Sequence, residues 1–179
     1  MTVVPSWAED RVSFFPEPVA DVHPEAWDAV AAGLKGRRVL EIEYKSPRAR
    51  EAICRRVEPL HAVSFRGEWY LVDKCRLRGE LRTFAISRIR KAAVLKEEFD
   101  PPAGFDIREI MGKHFGIIYS PREYEVKIRF APQSAQYARE RQWHPSQKLT
   151  DHTDGGATLT MTVNHLAEVK RWRRWSGRK

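Results

Sequence analysis

Cysteine is scarce in this chain. Only Cys54 and Cys75 occur in 179 residues, and no C-x-x-C pair is present. Two thiols make a poor disulfide framework for a secreted domain, so two reduced cysteines and a cytoplasmic location are the expectation. A bridge would require their strands to pair. Long apolar runs are missing too, and without about 18 consecutive apolar residues there is no transmembrane helix. The N-terminus, MTVVPSWAEDRVSFFPEP, has neither a basic head nor an apolar core and does not read as a secretory signal. Catalytic signatures are equally sparse. His23, His61, His114, His144, His152 and His165 show no metal-type spacing, and the chain holds no P-loop, no G-x-S-x-G and no dinucleotide fingerprint. The cluster Asp151-His152-Thr153-Asp154 runs into Gly155 and Gly156, which favours a turn over a metal site. The expectation is a protein without catalytic residues, metal or cofactor.

What is present is enough apolar material to fold and an excess of cations. Hydrophobic residues make up 42% and aromatics 11%, sufficient for packed cores and against wholesale disorder. The length allows one large domain or two small ones. The net charge of +8 favours anionic partners: nucleic acid, nucleotides or phosphorylated ligands.

Patterning divides the chain. Residues 1–22, with Pro5, Pro16 and Pro18, read as an extended lead-in with a short strand at RVSFF. HPEAWDAVAAGLKG reads as a helix. Pro24 suits its first turn, Glu25 complements the dipole, Gly36 offers a stop, and Trp27, Val30, Ala31 and Leu34 form an apolar stripe. From Arg37 the period becomes two, giving strands at RRVLEIEYKS, EAICRRVEPLHAVSFRG (interrupted at Pro59), EWYLVDKC, LRTFAIS and IRKAAVLK. A helix followed by five short antiparallel strands predicts a small closed or half-closed barrel over residues 23–96. Residues 97–121 read as a linker, with a Pro/Gly loop and a short helix at IREIMGKHFGII. Residues 122–179 follow the order strand, helix, strand, strand, helix, which is a ferredoxin-like unit without its final strand. The whole is mainly β with an α+β second half.

The stretch 67–90, GEWYLVDKCRLRGELRTFAISRIR, sets Trp69, Tyr70 and Phe84 among six cations. Arginine makes forked hydrogen bonds to phosphate and stacks on aromatic faces. Arg82 and Arg88, gathered with Tyr44 and Tyr70, would form a groove for bases and phosphates. The plain alternative is that Arg82 and Arg88 pair with Glu41, Glu43, Glu58 or Asp73 on a solvated surface. Ser46 reads by itself as a turn former and His61 as a structural histidine. The tail KRWRRWSGRK places six cations and two tryptophans in ten residues. Its tryptophans read as core anchors, with Val169, Trp172 and Trp175 near one helix face, and its cations as solvated or phosphate-touching.

The stretch GEWYLVDKCRLRGELRTFAISRI resembles the signature of WYL domains, named for the triplet that stands here as Trp69, Tyr70 and Leu71. LEIEYKS, RRVEPLHAV and the RTF…SRI ending fit in order. VKIRFAPQSAQYARERQWHPSQK is similar to the extension that follows many WYL domains, so the likeness spans roughly residues 37–175. It implies an SH3-like or Sm-like five-stranded barrel, placed behind a winged helix-turn-helix in bacterial transcriptional regulators. The implied role is ligand sensing, with a nucleotide, oligonucleotide or single-stranded nucleic acid as ligand and a homodimer as the assembly. The implied pocket is Tyr44, Ser46, His61, Tyr70, Arg82 and Arg88, with Trp69 and Leu71 packing the core instead. Two departures stand out: only one convincing helix precedes Arg37, and the terminal strand of the extension is missing. Both fit a sensor fragment trimmed from a longer regulator, with a naturally short protein as the alternative.

Overall fold

The structure is a computed structural model that describes residues 18–47 and 49–176, the side chains of 173–176 excepted. The expected strand at RVSFF and the side chain of Trp175 lie outside the described residues. Helix α1 (Pro24–Gly36) begins with Pro24 and closes through Arg37, whose left-handed backbone (φ 49°) turns its N–H onto the Gly33 carbonyl. The helix thus ends at Gly36, where the sequence offered a stop, and the left-handed cap falls on Arg37. Gly33 has a packing reason: a Cβ there would lie 2.7 Å from Leu40 Cδ2.

Five strands follow: β1 (Arg38–Tyr44), β2 (Ile53–Phe65), β3 (Glu68–Cys75), β4 (Glu80–Ala85) and β5 (Ile89–Glu98). They form one antiparallel sheet in the order β4-β3-β2-β1-β5. Arg66 (φ 50°) and Gly67 (φ 73°) are both left-handed, as a two-residue hairpin between right-twisted strands requires. Pro59 lies where the β2–β3 register shifts, between Pro59 and His61, which is where a residue without an N–H can be carried in a strand.

The barrel expected from the strand count is not closed by hydrogen bonds: β4 and β5 are the two edges, and no ladder joins them among the described residues. The sheet is nevertheless strongly curled. Flat, its outer strands would stand roughly 19 Å apart, yet the chain passes from Ala85 to Ile89 in four residue steps, a reach of at most about 14 Å. The contact between Tyr44 on β1 and Phe84 on β4, with ring centroids 4.6 Å apart, spans that curl. Inside it lie Leu40, Ile42, Val57, Leu71, Cys75, Ile86 and Ile89, covered by Ala26 and Val30 of α1. Burial of each large aliphatic side chain contributes about 1.5–3 kcal/mol.

A single 3-10 turn (Ile86–Arg88) separates β4 from β5. The predicted strand LRTFAIS thus ends at Ala85. The turn buries Ile86 in the core and lets Arg88 leave the strand pattern.

Helix α2 is short (Ile107–Gly112), capped by the Asp106 side chain accepting the Arg108 N–H. The expected helix to residue 118 stops at Gly112. The second unit comprises β6 (Tyr124–Phe130), α3 (Pro132–Arg139), β7 (Lys148–Asp151), β8 (Ala157–Val163) and α4 (Leu166–Ser176). Its three strands order as β6-β8-β7. The predicted element order holds, in a small three-stranded antiparallel sheet. Its core joins Phe130, Ala135, Ala138, Leu159 and Trp172 to Met161, Val163 and Val169, so Val169 and Trp172 are the helix anchors expected. The 152–156 turn is a turn: the Gly156 N–H donates to Asp154 Oδ1 and Gly155 is left-handed (φ 82°). Cys54 and Cys75 are both free. Among the described residues no helix is long and apolar enough to cross a membrane.

Candidate anion-binding cleft

The segment after α2 ties the two units together. Ile117 is buried, and its carbonyl accepts the Thr83 hydroxyl of β4 at 2.9 Å. On the other side, the Ile117 and Ile118 N–H groups both donate to the Glu168 carboxylate of α4, at 2.9 and 3.1 Å. A Cβ on Gly116 would lie 2.0 Å from Glu168 Oε1, so glycine is what lets this carboxylate reach the backbone.

Between the β4 side of the sheet, this segment and α4 opens a cleft of about 510 Å³. Five of the residues singled out in the sequence line it: Tyr44, Ser46, Tyr70, Arg82 and Arg88. Each is placed by a different element. Tyr44 ends β1, and Ser46 follows it. Tyr70 and Arg82 come from β3 and β4, and Arg88 comes from the 3-10 turn. His61 is not among the lining residues. It is exposed on β2, just past the register shift at Pro59.

The plain alternative for the arginines can now be judged. Glu41 pairs with Arg56, Glu43 with Arg90 and Lys91, and Glu58 with Arg76 at 2.8 Å. Three of the four carboxylates named for that role are therefore engaged elsewhere. Arg82 meets only the exposed Glu80, at 3.5 Å, and Arg88 has no carboxylate within ion-pair distance among the described residues. A surface pair like Arg82–Glu80 is worth little and yields readily to another anion. Arg66 and Arg171 add two further cations to the walls, against Glu80 and Glu168. Burial, followed by the nearby Glu68 charge, raises the Tyr70 phenol above its ordinary pKa, and Arg88 opposes this. Tyr70 therefore stays a neutral ring with a hydroxyl donor at physiological pH.

Asp73, the fourth carboxylate, is wholly buried. It is the direct cross-strand neighbour of Arg82. Burial drives its pKa well above the carboxylate range, with Cys75 adding to the rise and Arg82 and Arg55 opposing it. Arg55 also reaches this place, 5.8 Å above the Phe84 ring and donating to Cys75 Sγ at 3.9 Å. Sequence reading missed Arg55, although its position opposite Ile42 puts it on the core face. The cleft residues from the second half (Ile117, Ile118, Tyr119, Glu168 and Arg171) were not legible either, because no pattern in the sequence says which part of the extension meets the sheet.

A curled five-stranded sheet, a linking segment and a βαββα unit thus share one basic cleft. Residues 25–94 match the WYL domain, and residues 122–173 match the WCX domain. The chain thus carries a WYL domain followed by a WCX domain. It is 34% identical over 88 residues to the protein PafB of Mycobacterium bovis and to that of Mycobacterium tuberculosis. The match covers 46% of this chain and 26% of those proteins, so it spans about a quarter of their length. Among solved structures it is similar to the proteasome accessory factor B/C (PafBC) of Arthrobacter aurescens, with 24% identity and a TM-score of 0.49. That likeness covers 88% of this chain and 24% of the other.

Proposed function

We propose that this chain is the ligand-sensing region of a bacterial WYL-type transcriptional regulator, and that its cleft binds a nucleotide-like or oligonucleotide anion. The observation that carries the reading is the meeting of Arg82 and Arg88 in one cleft with Tyr44 and Tyr70. Glu41, Glu43 and Glu58 are bound to other cations, Asp73 is buried, and Arg82 keeps only a surface pair with Glu80. In this reading Arg82 and Arg88 hold phosphate oxygens through charge-assisted hydrogen bonds. Tyr44 and Tyr70 offer ring faces and hydroxyls to a base or sugar, and Ser46 adds a hydroxyl at the rim. His61 has no part in it.

The cleft is walled by both domains, which gives binding a means of transmission. A ligand held between β4 and α4 biases how the WCX unit rests on the WYL sheet, and differential affinity for two such arrangements is what a sensor requires. Promoter DNA would be reached through a helix-turn-helix, which the described residues do not contain. The assembly we propose is a cytoplasmic homodimer, and we read the chain as a binding protein rather than an enzyme.

The test is fluorescence anisotropy of labelled single-stranded oligonucleotides and nucleotides across a salt series. Saturable binding that is lost in Arg82→Ala and Arg88→Ala supports the reading. Steep salt dependence with no preference among sequences would point instead to a single-strand-binding module without a sensing role. No binding at low salt, together with a stable dimer, would leave dimerisation as the function.

A further inference from the structure

The polar cluster behind Arg82 is not explained by folding alone. Both oxygens of Asp73 and the Nε atoms of Arg55 and Arg82 are buried without a hydrogen-bond partner among the described residues. An apolar trio of similar shape would cost less, since buried charge without satisfied hydrogen bonds is destabilising. The groups facing Asp73 are Arg55 and Glu58 from β2, Cys75 on its own strand and Arg82 from β4. Glu58 is engaged by Arg76, which leaves the two arginines as the counter-charges. Of the three side chains only Arg82 lines the cleft, so the carboxyl stands directly behind a cation that an external ligand can touch.

We propose that Asp73 is a specificity-determining residue of this cleft: a counter-charge that competes with an incoming anion for Arg82, so that the cleft takes up a proton together with its ligand. The proposal rests on the reading of Arg82 as an anion contact. With Asp73 ionised, the trio Arg55, Asp73 and Arg82 carries one net positive charge; with Asp73 protonated it carries two. Arg82 opposes the rise that burial imposes on the Asp73 carboxyl, and an anion that neutralises Arg82 removes that opposition. The carboxyl then binds a proton, and no other atom changes partner covalently. Neutral ligands gain nothing from this exchange, whereas phosphate-bearing ones do. Asp73 therefore tunes the ligand charge that the cleft accepts.

The experiment uses the full chain, a fluorescein-labelled single-stranded oligothymidylate as probe, and pH 6 to 9 at fixed ionic strength. Calorimetry in buffers of different ionisation enthalpy counts the protons taken up. For the wild type, affinity falls as pH rises and binding is accompanied by proton uptake. Asp73→Asn, which keeps shape and removes the charge, binds about tenfold tighter at the alkaline end, as expected for removing one like charge near the site. Its profile is flat. In an Arg82→Ala background the same Asn substitution brings no gain. If Arg82→Ala loses binding while Asp73→Asn, with an unchanged melting curve, alters neither affinity nor proton uptake, the proposal is overturned and the functional reading stands. If Arg82→Ala binds like the wild type, the functional reading falls and this proposal with it. Should Asp73→Asn fail to fold, the wild-type proton count decides, and zero uptake overturns the idea.

Discussion

The Glu168 carboxylate of α4 accepts the backbone N–H groups of both Ile117 and Ile118, and through Ile117 it is joined to Thr83 on the edge strand β4. One side chain of the WCX half thereby fixes the segment that roofs the cleft. Glu168→Ala leaves two half-buried N–H groups without an acceptor and should cost about 1–3 kcal/mol. Gly116→Ala should disturb the same clip, because its methyl would occupy the place of Glu168 Oε1. Thermal melting reads the loss, and hydrogen exchange should show faster exchange confined to residues 113–121. Unchanged exchange at Ile117 and Ile118 in Glu168→Ala would show that the clip does not hold the segment.

Arg82→Ala and Arg88→Ala should each weaken binding of a phosphate-bearing single-stranded probe by about 1–3 kcal/mol, the range for charge-assisted hydrogen bonds. Each should lower the slope of log affinity against log salt by roughly one. Arg56→Ala, whose cation is bound to Glu41, should alter neither quantity. Anisotropy titrations at several salt concentrations check this, and equal losses at all three positions would mean a diffuse surface field instead of a cleft.

Burial raises the pKa of Asp73 in the folded protein. The folded state therefore keeps a proton that the unfolded chain releases above about pH 4. Across the window from that value up to the raised pKa, the folded state binds more protons and stability falls as pH rises. Asp73→Asn lacks this dependence. Its melting temperature relative to the wild type should climb steadily with pH through the window, measured by calorimetry or circular dichroism in matched buffers. A difference that is constant with pH would contradict the assignment.

His114 and His144 behave in the opposite sense. Burial lowers both pKa values, so the unfolded chain binds protons first as pH falls below about 6.5. The contribution to stability from their neutral forms is complete above that value and is lost toward the lowered pKa. His114 meets the Tyr119 ring edge-on with centroids 6.0 Å apart. His114→Phe keeps that contact without titrating and should reduce the acid loss by a few °C of melting temperature, or about 1 kcal/mol. An identical acid limb in wild type and variant would remove His114 from the cause.

Much of this molecule was legible before any coordinates. Leu40, Ile42 and Tyr44 announce a strand by alternation, and Tyr124, Val126, Ile128 and Phe130 announce another. The WYL stretch placed Tyr70, Arg82 and Arg88 in one neighbourhood. Element ends were less legible. A local 3-10 turn at Ile86–Arg88 and the early stop of α2 at Gly112 depend on contacts made by Ile86 and by the segment around Ile117, which leave no periodic trace.

The sequence by itself determined the strands, the helices, their order and the surplus of arginine beside aromatic rings, because those follow from residue type and spacing along the chain. Tertiary structure alone decided the rest. Curling of the sheet brought Tyr44 against Phe84 across two intervening strands. The register of β3 on β4 buried Asp73 behind Arg82, and α4 supplied Glu168 and Arg171 to a cleft they share with Arg82 and Arg88 from far earlier in the chain. These are long-range pairings set by which faces bury together, and short-range patterns carry no record of them.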